Sequence, residues 1–244
     1  MIVETGHYAL VLALALALIQ STVPIIGARW RDPALMNVAR STALAQLLFV
    51  AVSFAALVTL HVNSDFSVVN VFENSHSTKP LIYKITGVWG NHEGSMLLWV
   101  SILALFGGLV AAFGNNLPLS LRAHVLAVQA WIASAFYLFI LITSNPFLRI
   151  ANPPIEGRDL NPVLQDIGLA VHPPMLYLGY VGFSISFSFA IAALLEGRID
   201  AAWAGVTGRG SCRCPDARAP QRLPRRSARS PKSEKVEHAG ARGA

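Results

Sequence analysis

Residues 8–28 read YALVLALALALIQSTVPIIGA and contain no Asp, Glu, Lys or Arg. A helix needs about 20 mostly apolar residues to cross a hydrocarbon core of about 30 Å, so this stretch can span a membrane. Ala and Leu alternate in it as in a strand, but both are good helix formers and the run is too long for a strand. The seven residues before it include Glu4 and no Lys or Arg, which argues against a cleaved signal peptide. The stretch therefore predicts a transmembrane helix.

Four further runs have the same character. The chain is 54% hydrophobic and only 13% charged, whereas soluble domains are about 25% charged. A charge at the centre of a membrane helix costs about 2.5 kcal/mol or more, and backbone groups in lipid must bond internally, so these runs should also be helices. The sequence therefore predicts an all-α membrane protein with about five transmembrane helices, the last four being residues 41–60, 96–113, 123–143 and 175–195.

The formal charge of +6 belongs almost entirely to the end of the chain. Residues 1–203 carry a net charge of −1 and residues 204–244 a net charge of +7. The second part is rich in Arg, Ala, Gly and Ser, holds both cysteines, Cys212 and Cys214, and contains four prolines. Such a segment buries too little apolar surface to offset the entropy of ordering. We predict a membrane part over 1–203 and a disordered basic tail over 204–244, which lacks the aromatic residues that would favour nucleic-acid binding.

The distribution of basic residues predicts an orientation. Arg29, Arg31 and Arg40 lie between the first two predicted helices, Arg122 lies between the third and fourth, and the tail follows the fifth. Because basic residues favour the cytoplasmic side, these segments should be cytoplasmic. The N-terminus and two loops of about 30 residues, 61–95 and 144–174, should then lie on the outer face.

His172 is the first candidate site residue, because Pro173 and Pro174 follow it at the predicted start of the fifth helix. Proline is tolerated in a first helical turn, and the residue before a proline is pushed out of the helical conformation. We expect His172 on a rigid corner just above the membrane, where its imidazole could bind a metal or haem iron. The alternative is an interfacial histidine bonded to backbone or water.

The second candidate is the run that precedes the third helix, with Trp89, Gly90, His92, Glu93 and Gly94. The glycines permit close approach of a ligand or partner, and His92 with Glu93 could orient an iron ligand or bind a propionate-bearing partner. Alternatively, the run forms a hydrogen-bonded helix N-terminus in which Glu93 is favoured by the helix dipole.

The other histidines are weaker candidates. His7, His61 and His124 lie at predicted helix ends and are expected to be interface residues, and His76 lies in a polar run and is expected to be solvated. No nucleotide-binding loop, zinc spacing or Ser-His-Asp order occurs. Carboxylates are absent from the predicted helix interiors, which disfavours an ion-coupled transporter, although a transporter or channel module stays the alternative function.

Three blocks of sequence resemble one protein family. They are WGNHEGSMLLW at 89–99, TSNPF at 143–147 with PIEGRDLNP at 154–162, and HPPMLYLGYVGF at 172–183. In this order they are similar to the CcmF/CycK/NrfE haem-lyase family of cytochrome c maturation. The resemblance implies a bacterial inner-membrane protein that receives haem from a haem chaperone at the periplasmic face. Haem is then delivered to apocytochrome c with its thioreductase and holding subunits, and His172 corresponds to a histidine that ligates the haem iron.

The chain also departs from that family. Members are much longer, and their Trp-rich outer loop and three other haem-ligating histidines belong to regions without a counterpart here. We therefore interpret the chain as an N-terminal part, not expected to be active alone, or as an inactive membrane-inserted fragment. The tail has the composition of an out-of-frame reading of GC-rich DNA, and the competing reading is a polybasic tail held on anionic lipid.

Overall fold

The structure is a computed structural model that describes residues 1–162 and 165–197. The predicted basic tail lies outside the described residues. The described part contains seven α-helices and one 3-10 turn at Gly114–Asn116. The helices are α1 (Ile2–Trp30), α2 (Pro33–Val62), α3 (Val69–Asn74), α4 (Leu81–Gly87), α5 (His92–Phe113), α6 (Leu119–Thr143) and α7 (Ile167–Glu196).

The prediction of five transmembrane helices is confirmed. Five helices of the described part are long and apolar enough to cross a membrane, and each contains one of the five predicted runs. The helices are longer than the uncharged runs because their polar ends continue the helix beyond the apolar stretch. The alternating Ala-Leu segment is helical throughout, as helix propensity predicted.

A tight turn joins α1 to α2 and makes them an antiparallel pair. Arg31 has a left-handed backbone with φ of 56°, and the Asp32 side chain caps α2 by accepting a hydrogen bond from the Ala34 amide at 2.8 Å. Pro33 occupies the first helical position, where a missing N–H costs nothing. Gly27 lets the helices approach closely, because a Cβ atom there would lie 2.7 Å from the Cβ of Leu35.

The interior of the bundle contains buried amide side chains as well as apolar ones. Gln46 on α2 donates to the hydroxyl of Tyr137 on α6 at 2.9 Å, and both side chains are buried. Gln20 on α1 donates to the backbone carbonyl of Leu126 at 2.9 Å. Since nothing in a lipid interior can replace such bonds, these contacts help to fix how α1, α2 and α6 pack.

The two long loops lie together on one face of the bundle. The Val69 amide donates to the carbonyl of Leu148 at 2.9 Å, and the Ile150 amide donates to that of Ser67 at 2.9 Å. We call the described loop residues 63–91 and 144–166 the loop cap, and the side of the bundle that carries them the loop face.

Candidate functional site on the loop face

The loop cap is held together by polar contacts between its two segments. Lys79 is buried, donates to the Asn74 carbonyl at 3.0 Å and pairs with Asp159 at 3.2 Å. Burial lowers the pKa of Lys79, although the hydrogen bond and the charge of Asp159 oppose that shift. Gly157 lies so close to the first segment that a Cβ atom there would be 1.9 Å from the Ser75 carbonyl oxygen. The family-like segment 154–162 therefore serves to close the cap.

The run 89–95 forms the start of α5, and most of its residues have a structural task. The Asn91 side chain accepts a hydrogen bond from the Gly94 amide at 2.8 Å and so caps the helix. A Cβ atom on Gly94 would lie 1.6 Å from the Val88 carbonyl oxygen, so only glycine fits there. Ser95 donates to the carbonyl of Trp89 at 2.7 Å. These contacts favour the interpretation of this run as a hydrogen-bonded helix N-terminus.

Gly90 and Glu93 also pack within the protein. A Cβ atom on Gly90 would lie 3.1 Å from a methyl carbon of Leu160, so this glycine lets the second loop segment approach. Glu93 accepts a hydrogen bond from Asn70 at 3.5 Å and lies in the first turn of α5, where the helix dipole favours an acid. Docking of haem or a partner by these residues stays a prediction.

His92 differs from its neighbours because its side chain is exposed. Its ring meets the ring of Phe139 edge-on, with centroids 6.2 Å apart. It begins α5 on the loop face and is available for contact with a further molecule. A docking role for His92 stays a prediction.

Trp89 connects the start of α5 with the start of α7. Its ring stacks on Phe54 of α2, with centroids 6.5 Å apart and an interplanar angle of 15°. Its indole N–H donates to the backbone carbonyl of Ala170 at 2.8 Å. One hydrogen bond thus joins the block at 89–99 to the turn of α7 just before the block at 172–183, about 80 residues further along the chain.

The predicted position of His172 at a corner before the fifth helix is wrong. α7 begins at Ile167, so His172 is helical and Pro173 and Pro174 lie inside the helix. Asp166 explains the earlier start, because its carboxylate accepts from the Gly168 amide at 2.9 Å and its carbonyl accepts from the Ala170 amide at 2.9 Å. An Asp at this place is a strong helix start signal and here overrides the preference set by the prolines.

His172 is nevertheless an accessible side chain near the loop cap. It is exposed, and among residues 1–162 and 165–197 it makes no hydrogen bond or ion pair. The neighbouring apolar side chains are exposed as well, with Val171 at 49%, Met175 at 63% and Leu176 at 52%. A free imidazole among exposed apolar side chains would suit haem, because haem iron takes nitrogen ligands and the haem ring is largely apolar. No cluster of three or more His, Cys, Asp or Glu side chains suited to a metal ion occurs in the described part.

Two histidines lie in surroundings that the sequence did not predict. His61 was expected at an interface, but it is fully buried, and its Nδ1 is 3.1 Å from the Leu57 carbonyl oxygen. His76 was expected to be solvated, but it is only partly exposed, 2.9 Å from the Thr78 hydroxyl and 3.5 Å from Glu156. Both depend on the fold of the cap, which no local pattern reveals.

The chain resembles known proteins over most of its length. A sequence model of the family described as cytochrome C assembly protein matches residues 89–237. The cytochrome c-type biogenesis protein CycK of Bradyrhizobium diazoefficiens is 91% identical over 204 residues, which are 84% of this chain and 31% of that protein. CcmF of Escherichia coli is 47% identical over 208 residues, which are 85% of this chain and 32% of that protein.

A solved structure titled cytochrome c heme lyase CcmF superimposes with a TM-score of 0.70 at 25% identity, covering 82% of this chain and 32% of that one. The chain therefore spans about a third of the length of the relatives it matches. The family match runs past residue 203, and the domain boundary placed there stays a prediction. Because the match covers more than half of its residues, the chain belongs to the cytochrome c assembly protein family.

Proposed function

We propose that this membrane protein handles haem in cytochrome c-type biogenesis, and that His172 ligates the haem iron at the periplasmic face of the bacterial inner membrane. Family membership supports the process, and haem is cargo in this proposal. The observation that carries it is His172 itself, an exposed imidazole without a partner in the described part. A neutral imidazole is a ligand for haem iron, so this side chain needs no rearrangement of other bonds to bind it.

In this proposal, different residues contact different parts of the haem. His172 would supply the nitrogen ligand, and the exposed Val171, Met175 and Leu176 would contact the apolar ring. His92, exposed at the start of α5, would meet a propionate or a partner protein. Haem would arrive from a haem chaperone and leave to apocytochrome c and its thioreductase and holding subunits. Since the chain spans about a third of its relatives, we propose a component of a haem lyase and not the whole activity.

A haem titration tests the site. The purified protein in detergent is titrated with haem and followed by its Soret band, beside His172→Ala, His92→Ala and His76→Ala. His76 is the matched control, because it is a partly exposed histidine of the loop cap engaged with Thr78 and Glu156. We expect His172→Ala to lose the ligated Soret band and His76→Ala to keep it. An unchanged Soret band in His172→Ala would show that the assignment is wrong.

The proposed orientation has its own test, because the only cysteines are Cys212 and Cys214 in the tail. A cytoplasmic tail keeps these thiols from a membrane-impermeant maleimide in intact spheroplasts. A matched reporter is Ser77→Cys, an exposed position of the loop cap, in a background in which both tail cysteines are serine. We expect labelling of the reporter and not of the native thiols. The opposite pattern would reverse the orientation.

A further inference from the structure

The start of α7 contains a carbonyl that its own helix cannot satisfy in the usual way. In an α-helix the carbonyl of Ala170 accepts from the amide four residues later, which is residue 174. That residue is Pro174, which has no amide hydrogen. Ala170 is only 7% exposed, so water has little access to replace the missing donor. A buried carbonyl without a donor is costly, so this helix needs a donor from elsewhere.

Trp89 supplies that donor. Its indole N–H lies 2.8 Å from the Ala170 carbonyl oxygen, a normal hydrogen-bond distance. The indole is itself held in place, because its ring stacks on Phe54 and its own carbonyl accepts from Ser95 at 2.7 Å. The donor is therefore anchored to α2 and to the start of α5, and it ties the first turns of α7 to both.

We propose that Trp89 is a positioning residue for His172. His172 follows Ala170 by two residues in the same helical stretch, so the bond that fixes the Ala170 carbonyl fixes the turn that carries the imidazole. Trp89 replaces the donor that Pro174 removes, and so keeps α7 regular through two consecutive prolines. The inference rests on the proposed function of His172, because a positioned imidazole matters for haem only if it binds the iron.

The pairing predicts a specific dependence between two substitutions. Trp89→Phe keeps an aromatic ring to stack on Phe54 but removes the N–H. Pro174→Ala restores a backbone amide four residues after Ala170, so the carbonyl regains a donor within its own helix. The loss caused by Trp89→Phe should therefore be large beside Pro174 and small when Pro174→Ala is also present.

The chain offers a matched control for the lost indole bond. Trp131 on α6 donates its indole N–H to the backbone carbonyl of Ser21 at 2.9 Å, so Trp131→Phe removes a bond of the same kind. That bond joins α6 to α1 and does not involve α7. A general loss of stability would appear in both Trp→Phe variants, whereas an effect on the His172 turn would appear in one.

The first measurement needs no haem. Backbone hydrogen exchange over residues 167–172 is compared in the wild-type protein, Trp89→Phe, Trp131→Phe, Pro174→Ala, and Trp89→Phe with Pro174→Ala. We expect the exchange rate to rise about five- to tenfold in Trp89→Phe, which corresponds to the loss of one hydrogen bond. In the double variant we expect the rate to return to within about twofold of the wild-type rate. Unchanged exchange in Trp89→Phe, or an equal rise with and without Pro174→Ala, overturns the proposal.

The second measurement is haem affinity and the Soret maximum of the same five proteins. We expect affinity to fall about five- to tenfold in Trp89→Phe, with a shifted Soret maximum, and to recover in the double variant. An affinity that stays at the wild-type value while exchange rises overturns the positioning role. If His172→Ala binds haem as the wild type does, the proposed function fails first, and the exchange measurement still reports separately on the Trp89 bond.

Discussion

Gly94→Ala is the single-methyl change that should damage this protein most clearly at the start of α5. The Cβ atom would lie 1.6 Å from the Val88 carbonyl oxygen and 2.8 Å from the Val88 carbonyl carbon. A Cβ atom essentially never lies closer than 3.0 Å to another atom, so the two backbone segments must separate by more than an ångström. That separation disrupts the bond from the Gly94 amide to Asn91, at 2.8 Å, and the bond from Ser95 to Trp89, at 2.7 Å.

The magnitude follows from these losses. A lost N-cap costs about 1 kcal/mol, a second hydrogen bond about 1 kcal/mol, and forced overpacking about 1–3 kcal/mol. Gly94→Ala should therefore lower the free energy of unfolding by about 3–5 kcal/mol, measured by denaturant unfolding in detergent. Gly107→Ala in the same helix is the control, because a Cβ atom there meets nothing within 4 Å. It should be neutral or stabilising by up to about 1 kcal/mol. Equal effects of the two changes would refute the packing argument.

Two further changes test the bundle and the loop cap. Tyr137→Phe should lower the free energy of unfolding by about 0.6–1.7 kcal/mol, because Gln46 loses its hydrogen-bond partner in the bundle interior. In a Gln46→Leu background the same change should lower the free energy of unfolding by less. Unfolding in detergent measures both values as a double-mutant cycle. The Ser77 hydroxyl donates a hydrogen bond to Glu156 and lowers the pKa of that carboxyl below its ordinary value of 4.5. The ionised Glu156 therefore stabilises the folded cap fully above pH 4.5. This stabilisation is lost as the pH falls through the lowered pKa and the carboxyl becomes protonated. Hydrogen exchange in residues 74–79, corrected for intrinsic rates, should therefore rise on acidification below the ordinary pKa of a glutamate. Glu156→Gln should flatten that rise, and an identical pH profile in the variant would contradict this assignment.

The five membrane helices could be predicted because the signal that specifies them is local. Each is an uncharged run long enough to cross a bilayer, and neither tertiary contacts nor ligands are needed to see it. The ends were less predictable, because α1 starts at Ile2 and α2 at Pro33, well before the apolar runs begin. Polar residues continue a helix that its cap has started, and hydropathy does not register them.

The start of α7 shows where the local rules conflict. A proline pair predicts a helix start, and Asp166, seven residues before Pro173, also predicts one. The sequence alone gives no way to rank these signals, because the cost of placing Pro174 inside a helix depends on whether another group satisfies Ala170. That group is Trp89, which lies 81 residues earlier in the chain. The helical position of His172 therefore depends on a tertiary hydrogen bond as well as on the Asp166 start signal, and no local motif reveals that bond.

The same bond links the start of α5 to the helical turn that precedes the proline pair of α7. Read separately, the run at 89–95 suggests a ligand-binding loop and the run at 172–174 suggests a rigid corner. In the structure they act together: Pro174 has no amide hydrogen to donate to the Ala170 carbonyl, and the indole N–H of Trp89, at the start of α5, donates to that carbonyl instead. A helix that needs a hydrogen-bond donor from another element near its first turns is less stable alone than an ordinary helix. The hydrogen bond also holds those turns at one position relative to the element that supplies the donor. The proline pair thus makes the orientation of His172 depend on Trp89. It follows that substitutions at Trp89 and Pro174 should be coupled in their effects, even though neither side chain has to touch haem.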